Sequence, residues 1–437
     1  MLIGSFGKKP DPYYFHGDME YIRAYYDYRR QNGMDDFLLD EITWNDLDMD
    51  NLFKRINTRL STSGEQYLYY MLRSPATNSE TYRQRESLVH YMDKNESVRL
   101  KLQVILARLG CTRRADISMA FSPSSHGPGK LFLYLFLLLL VPLAAITTIF
   151  SQQLGIMALV AVIALNAGVH EFSKRKIERD FDTVNYTVSM IFALNKIKKM
   201  RNPTLDMELK DAYLHLDRLH SVIRTGGIST VSDSSGIGEV LTTILLLDLI
   251  AYEFLKNKLG RNRKDVFAVH ENLGRLDAAI AIASYRKSVP YYCEPVLDFN
   301  EHCGGKIAAE KMTHPLLDHA VPNDLFTERS VLVTGSNASG KSTFLKTVAL
   351  SAVMSQSICT CTAESYTATA FRVYSSMALS DDLLAGESYY IVETKSLKRI
   401  LDSIPGAPPV LCIIDEVLRG TNTVERIAAS CEVLRAI

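Results

Sequence analysis

Residues 334–343 read Thr-Gly-Ser-Asn-Ala-Ser-Gly-Lys-Ser-Thr and fill the pattern G-x-x-x-x-G-K-[ST] with Gly335, Gly340, Lys341 and Ser342. Glycines at that spacing let a backbone curl so that successive N–H groups face phosphate oxygens. The residues offered to the phosphates are Gly335, Ser336, Asn337, Ala338, Ser339, Gly340, Lys341, Ser342 and Thr343. The lysine of such a loop reaches the β- and γ-phosphates, and its serine hydroxyl ligates Mg²⁺. A second acidic pair lies further on, where Val410-Leu411-Cys412-Ile413-Ile414 ends in Asp415-Glu416. A strand end of that kind points its first carboxylate at Mg²⁺. The next residue is placed to polarise a water. Asp415 and Ser342 are therefore the expected metal ligands, and Glu416 with Lys341 the expected catalytic pair, in a site for ATP and Mg²⁺.

The elements around these residues must hold them in place. Residues 330–333 read as a buried strand before the loop, and residues 344–354 as a helix after it. A helix start adds partial positive charge beneath the phosphates. Residues 371–379 alternate like a strand, and the apolar run 410–414 suits a strand buried on both faces. Strands separated by helices predict an α/β P-loop domain with a largely parallel sheet over 291–437.

The 437 residues suffice for about three domains. Lysine plus arginine and aspartate plus glutamate both number 49, so no global basic field marks a nucleic-acid binder. The seven cysteines form no C-x-x-C pair, which speaks against a zinc or redox motif, and Cys359 and Cys361 read as small core residues. Residues 1–14 have no apolar stretch of the kind a secretory signal needs.

Residues 1–120 read as the first part of a helical core, with a turn-rich linker following. Residues 131–150 then carry no charge, and after Ser151-Gln152-Gln153 residues 154–169 carry none. The first run meets the roughly 20 residues a bilayer span requires. Residues 121–170 are thus expected to be a linker plus a transmembrane helical hairpin, with membrane contact through 131–169. Arg113, Arg114 and Lys130 precede the hairpin, and Lys174, Arg175, Lys176 and Arg179 follow it. The positive-inside rule predicts a cell-membrane protein with both soluble parts cytoplasmic. Residues 171–290 return to helical patterning as a second core and lever part. Asp248 and Glu253 inside the apolar run 240–259 favour a buried helix there over a third span. The cluster Lys256, Lys258, Arg261, Arg263 and Lys264 reads as a solvated helix end, with phosphate backbones or anionic lipid as the functional alternative.

Further motifs make a resemblance specific. The loop GSNASGKST, the segment DDLLAGESYY over 381–390 and DEVLRGTNT over 415–423 are similar to the corresponding motifs of the MutS mismatch-repair ATPases. His314-Pro315, residues 59–75 and Leu276-Asp277-Ala278 are similar to further parts of that family. The resemblance implies a paired ATPase, a homodimer through the ATPase domain in which Ser388 contacts the partner's γ-phosphate. It also implies DNA as a partner and helical levers that transmit nucleotide state. No mismatch-reading domain and no Phe-x-Glu wedge are found in the opening residues. The family's next strand, histidine-bearing loop and dimerisation helices are expected beyond Ile437, so ATP hydrolysis is expected of a longer, dimeric form.

The sequence thus predicts a membrane-anchored, MutS-like ATPase that couples Mg-ATP to a helical lever assembly. Two other classes are a non-catalytic, nucleotide-responsive membrane scaffold and a transporter-type ATPase. Two spans without intramembrane charge, and no L-S-G-G-Q signature, weigh against the last.

Overall fold

A computed structural model describes residues 2–10, 14, 17–112, 129–220, 222, 241–300, 304–336, 339–377, 389–415 and 423–436. The first helices are α1 (Leu2–Ser5), α2 (Asp18–Gln31), α3 (Glu41–Asp46), α4 (Met49–Ile56), α5 (Thr62–Arg73), α6 (Ser79–Lys94) and α7 (Glu96–Leu109). Local chemistry sets several starts. The side chains of Asp40, Ser61 and Asn78 accept backbone N–H groups in the first turns of α3, α5 and α6. Such caps satisfy N–H groups that have no partner within the helix.

Every residue of α5 is buried. Its main partner is the long helix that ends the helical region, and the two cross at glycines on both sides. A Cβ on Gly64 would lie 2.0 Å from Asp277 Oδ2, and one on Gly274 would lie 2.5 Å from Tyr67 Cβ. Only hydrogen side chains allow these backbones to approach so closely.

Next come α8 (Gly129–Phe150) and α9 (Gln152–Lys198), joined at Ser151. Lys130–Phe150 and Gln152–Arg175 are long and apolar enough to cross a membrane, with mean hydropathies of 2.5 and 1.7. Only 17% of each window is buried, and Phe132, Leu139, Ile149, Leu154 and Met157 face outward. Helix α9 does not stop with its apolar part. It continues unbroken for 47 residues, across the expected boundary between hairpin and second core part at 170/171. At 1.5 Å per residue it is about 70 Å long.

Helices α10 (Pro203–Glu208), α11 (Lys210–Arg218), α12 (Leu247–Arg261) and α13 (Arg263–Ser288) complete the helical region. Helix α12 runs parallel to α9 along a ladder of polar contacts. Asn166 Nδ2 donates to Ile244 O at 2.7 Å, His170 Nε2 meets Asp248 Oδ2 at 2.7 Å, and Lys256 pairs with Asp180 at 3.0 Å. Asp248 and Glu253 therefore sit against protein, and α12 is a packed helix as expected. Part of the basic cluster is also spoken for, because Arg263 lies over the rings of Tyr28 and Phe267.

The C-terminal unit holds β1 (Val296–Asp298), β2 (Ile307–Met312), β3 (Asn323–Thr327), α14 (Lys341–Ser357), β4 (Ser365–Thr369), β5 (Arg372–Ser376), α15 (Tyr389–Ser403), β6 (Val410–Ile414) and α16 (Thr423–Ala436). Its sheets differ from the expected largely parallel one. Four strands form a mixed sheet in the order β1-β4-β2-β3, with β1 and β4 parallel and β2 antiparallel to both neighbours. Strands β5 and β6 form a separate two-stranded parallel sheet. Residues 330–333 make no strand, and Val331 and Leu332 are exposed. Among the described residues no neighbouring strand hydrogen-bonds to them. Strand β6 is correspondingly half-buried, with Ile413 alone fully inside. Cys359 and Cys361 are core residues, as their apolar surroundings suggested.

The helical region grips this unit through polar contacts that local pattern does not announce. Gln356 at the end of α14 donates to Ala76 O and Phe371 O and accepts from Phe371 N–H. Arg286, fully buried at the end of α13, donates to Cys359 O, to Thr360 Oγ1 and to Glu86. A buried guanidinium is tolerable because its donors are satisfied.

Candidate nucleotide site

Gly340 supplies the turn that starts α14. Its φ of +87° lies in the left-handed region, where a side chain is strained. Gly335 makes the close approach on the other side of the loop, because a Cβ there would lie 2.9 Å from Ser339 Oγ. The loop therefore closes over its own side chains. Lys341 folds back into it and donates from Nζ to Gly335 O at 2.7 Å and Ser336 O at 2.8 Å. Its ammonium thus lies within the loop's curve, against two backbone carbonyls.

Ser342 Oγ donates to Asp415 Oδ2 at 2.5 Å across 73 residues of sequence. The fold reaches this contact through β5 and β6. Their parallel register sets Ser376 opposite Ile414, and Asp415 N–H continues the ladder to Ser376 O at 3.0 Å. Asp415 is thereby delivered at the end of β6, facing the first turn of α14. A hydroxyl and a carboxylate oxygen side by side, on the solvent-open side of the site, form a hard-oxygen donor pair of the kind Mg²⁺ takes. The residues present fit that ion.

The structure thus brings together Gly335, Ser336, Ser339, Gly340, Lys341, Ser342 and Asp415, with Thr343 in the first turn of α14. Asn337, Ala338, Ser388 and Glu416 lie outside the described residues, as do Arg419, Gly420 and Thr421. The His314-Pro315 element sits near α14. Burial first, then the charge of Lys346, holds the His314 imidazole below its ordinary pKa.

The spacing of sequence motifs did not reveal what supports β5. Thr43, Asp46 and Arg399 all bond to Ser375 or Met377 at its end. The available hint was the capping residue Asp40, which fixes a short helix but not what that helix touches. A second group with metal-ligand spacing, Glu86, His90 and Glu294, lies elsewhere on the surface. Arg286 already pairs with both of its carboxylates, at 2.9 and 3.2 Å. That group reads as an ion-pair cluster.

Residues 331–437 match the family model for MutS domain V. Among curated proteins, the chain is 29% identical over 190 residues to the DNA mismatch repair protein MutS of Protochlamydia amoebophila, covering 41% of this chain and 21% of that one. It is 27% identical over 243 residues to MutS of Caulobacter vibrioides, covering 52% and 26%. It is 36% identical over 172 residues to the DNA mismatch repair protein msh3 of Aspergillus niger, covering 37% and 15%. The matched stretches are about a quarter or less of these relatives' lengths.

Proposed function

We propose, from the premise that this chain is a MutS-like protein, that it binds Mg-ATP at the 335–343 loop and couples nucleotide state to its helical core. The observation that carries the reading is the Ser342–Asp415 hydrogen bond beside a lysine folded into a glycine loop. The loop N–H groups and the start of α14 hold phosphate oxygens. Lys341 exchanges its two carbonyl partners for phosphate oxygens. Ser342 and Asp415 hold the metal, and Glu416 orients the attacking water. Mg²⁺ supplies neutralisation of the charge on the phosphates. Hydrolysis belongs in this reading to a homodimer, with Ser388 reaching the partner's nucleotide. DNA is the proposed partner of the helical region by relationship to the MutS proteins. A titration against duplex and mismatched DNA at several salt concentrations tests it, and absence of binding at low salt would remove DNA from the account.

The hairpin α8–α9 is the proposed membrane anchor, with the parts before and after it on the cytoplasmic side. Its outward-facing phenylalanines and leucines support that reading. Lys341→Ala removes the only ammonium in the phosphate loop, so Mg-ATP binding should fall by at least two orders of magnitude. Equilibrium titration with a fluorescent ATP analogue measures this. Equal affinity in wild type and variant would show that the loop is not the site.

A further inference from the structure

We infer that Asp46, at the end of α3 in the helical region, is a positioning residue for the magnesium carboxylate Asp415; the inference rests on the Mg-ATP reading above. Asp46 Oδ2 accepts from Ser375 Oγ at 2.6 Å and from Met377 N–H at 3.0 Å. Thr43, one turn earlier on α3, accepts Ser375 N–H on its hydroxyl at 3.1 Å. Asp46, Thr43 and Ser375 are all buried.

Ser375 and Met377 flank Ser376, and Ser376 O receives Asp415 N–H. Along one edge β5 therefore holds β6 and its terminal carboxylate. Along the other it is held by two side chains of α3. The Ser375 carbonyl is also fixed, accepting from Arg399 Nη2, while Arg399 pairs with the α3 capping residue Asp40. The N–H, hydroxyl and carbonyl of Ser375 are thus all bound to groups on α3 or bridged to it.

The choice of residue is informative. Burying a carboxylate is costly unless it is fully hydrogen-bonded. An apolar side chain in its place would leave the Ser375 hydroxyl and the Met377 N–H without this acceptor. What Asp46 adds is direction, because one oxygen takes donors from two residues on either side of Ser376 and so fixes where β5 ends. Asp415 follows from that end by a single hydrogen bond, and Ser342 meets Asp415 by another. The separation of the two magnesium ligands is therefore set from the helical region, three hydrogen bonds away.

The test uses the full chain in nanodiscs and the variants Asp46→Ala, Asp46→Asn and Ser375→Ala. The first readout is the Mg²⁺ concentration needed for half-maximal tightening of ATP binding. Partners of metal ligands typically change metal affinity by about tenfold or more. Asp46→Ala should raise the Mg²⁺ requirement on the order of tenfold while magnesium-free ATP binding stays the same. Asp46→Asn keeps one side-chain oxygen able to accept from both Ser375 Oγ and Met377 N–H, so it should stay near wild type. Ser375→Ala removes one hydroxyl from the clasp. It should shift the requirement the same way by less, and it serves if Asp46→Ala does not fold.

The second readout needs no nucleotide. Backbone amide exchange over 372–377 and 410–415 should accelerate in Asp46→Ala. A lower melting temperature with unchanged magnesium requirement and unchanged exchange would overturn the inference and leave Asp46 a structural clasp. Wild type that fails to bind Mg-ATP would instead overturn the proposed function, and the exchange measurement alone would then decide the role of Asp46.

Discussion

Helices α5 and α13 pair in the core, and helices α8 and α9 pair in the hairpin. Both pairs approach closely at glycine. The Cβ position of Gly64 falls 2.0 Å from Asp277 Oδ2, and that of Gly155 falls 2.3 Å from Thr148 Cα. The pairs differ in where their remaining surface goes. Helix α5 is buried on every side, whereas most of the apolar surface of Lys130–Phe150 and Gln152–Arg175 faces outward. Apolar sequence alone does not distinguish these outcomes. The core pair mixes tyrosine, serine and acid with its apolar residues and pairs several of them within the protein, as where Ser61 Oγ donates to Asp277 Oδ2 and Ser63 N–H donates to Tyr186 Oη. The hairpin stretches 131–150 and 154–169 carry no charged residue, which is the composition expected where the surrounding solvent is lipid.

The largest effect that sharpens this contrast is Gly64→Val. The new side chain would overlap Asp277, so destabilisation should exceed about 4 kcal/mol, in the range reserved for severe core disruption. Gly168→Val in α9 is the matched control, because a Cβ there meets nothing within 4 Å. Denaturant unfolding of the two variants checks the pair, and equal losses would break the comparison.

The next effect concerns pH. Burial, then the nearby Glu65 charge, raises the Asp277 carboxyl to about 7, against the bond from Ser61. A carboxyl raised in the folded state contributes full stability below its unfolded pKa and loses it as pH rises. The window therefore runs from about pH 4 to pH 7, and the integrated loss is up to about 4 kcal/mol. Buried His270, lowered to about 3, acts in the opposite sense, destabilising as pH falls below its unfolded value. The difference between wild type and Asp277→Asn isolates the carboxyl. It should be small at pH 4 and grow to favour the variant by pH 7. A difference independent of pH would show that Asp277 titrates normally.

Leu139→Arg tests the outward face of the hairpin. If that face meets lipid, the arginine should oppose insertion by about 3 kcal/mol, seen as a lower membrane-integrated fraction after alkaline washing. Met207→Arg, at a still more exposed position outside the hairpin, should change stability by less than about 0.5 kcal/mol. Indistinguishable behaviour of the two variants would remove the anchor from the proposal.

The contrast also shows what sequence can and cannot reveal. The loop pattern was legible because it is contiguous: Gly335, Gly340, Lys341 and Ser342 lie within eight residues. Asp415 was legible because a strand end exposes its acid predictably. The hairpin was legible as composition, but the unbroken course of α9 was not. Polarity changes near Glu171 while nothing in the backbone interrupts the helix. The expected strand at 330–333 is absent because a strand requires a partner, and hydrophobicity does not supply one. Asp46 was invisible for the opposite reason. Its partners Ser375 and Met377 lie 329 and 331 residues away, and an aspartate at a helix end reads locally as ordinary.

The central claim is a magnesium-dependent ATP site built by Ser342 and Asp415. Titrating ATP into wild type and Asp415→Ala, each with and without magnesium, tests it most directly. The account predicts that magnesium tightens ATP binding in wild type on the order of tenfold or more and has almost no effect in Asp415→Ala. Equal tightening in the two proteins would contradict it.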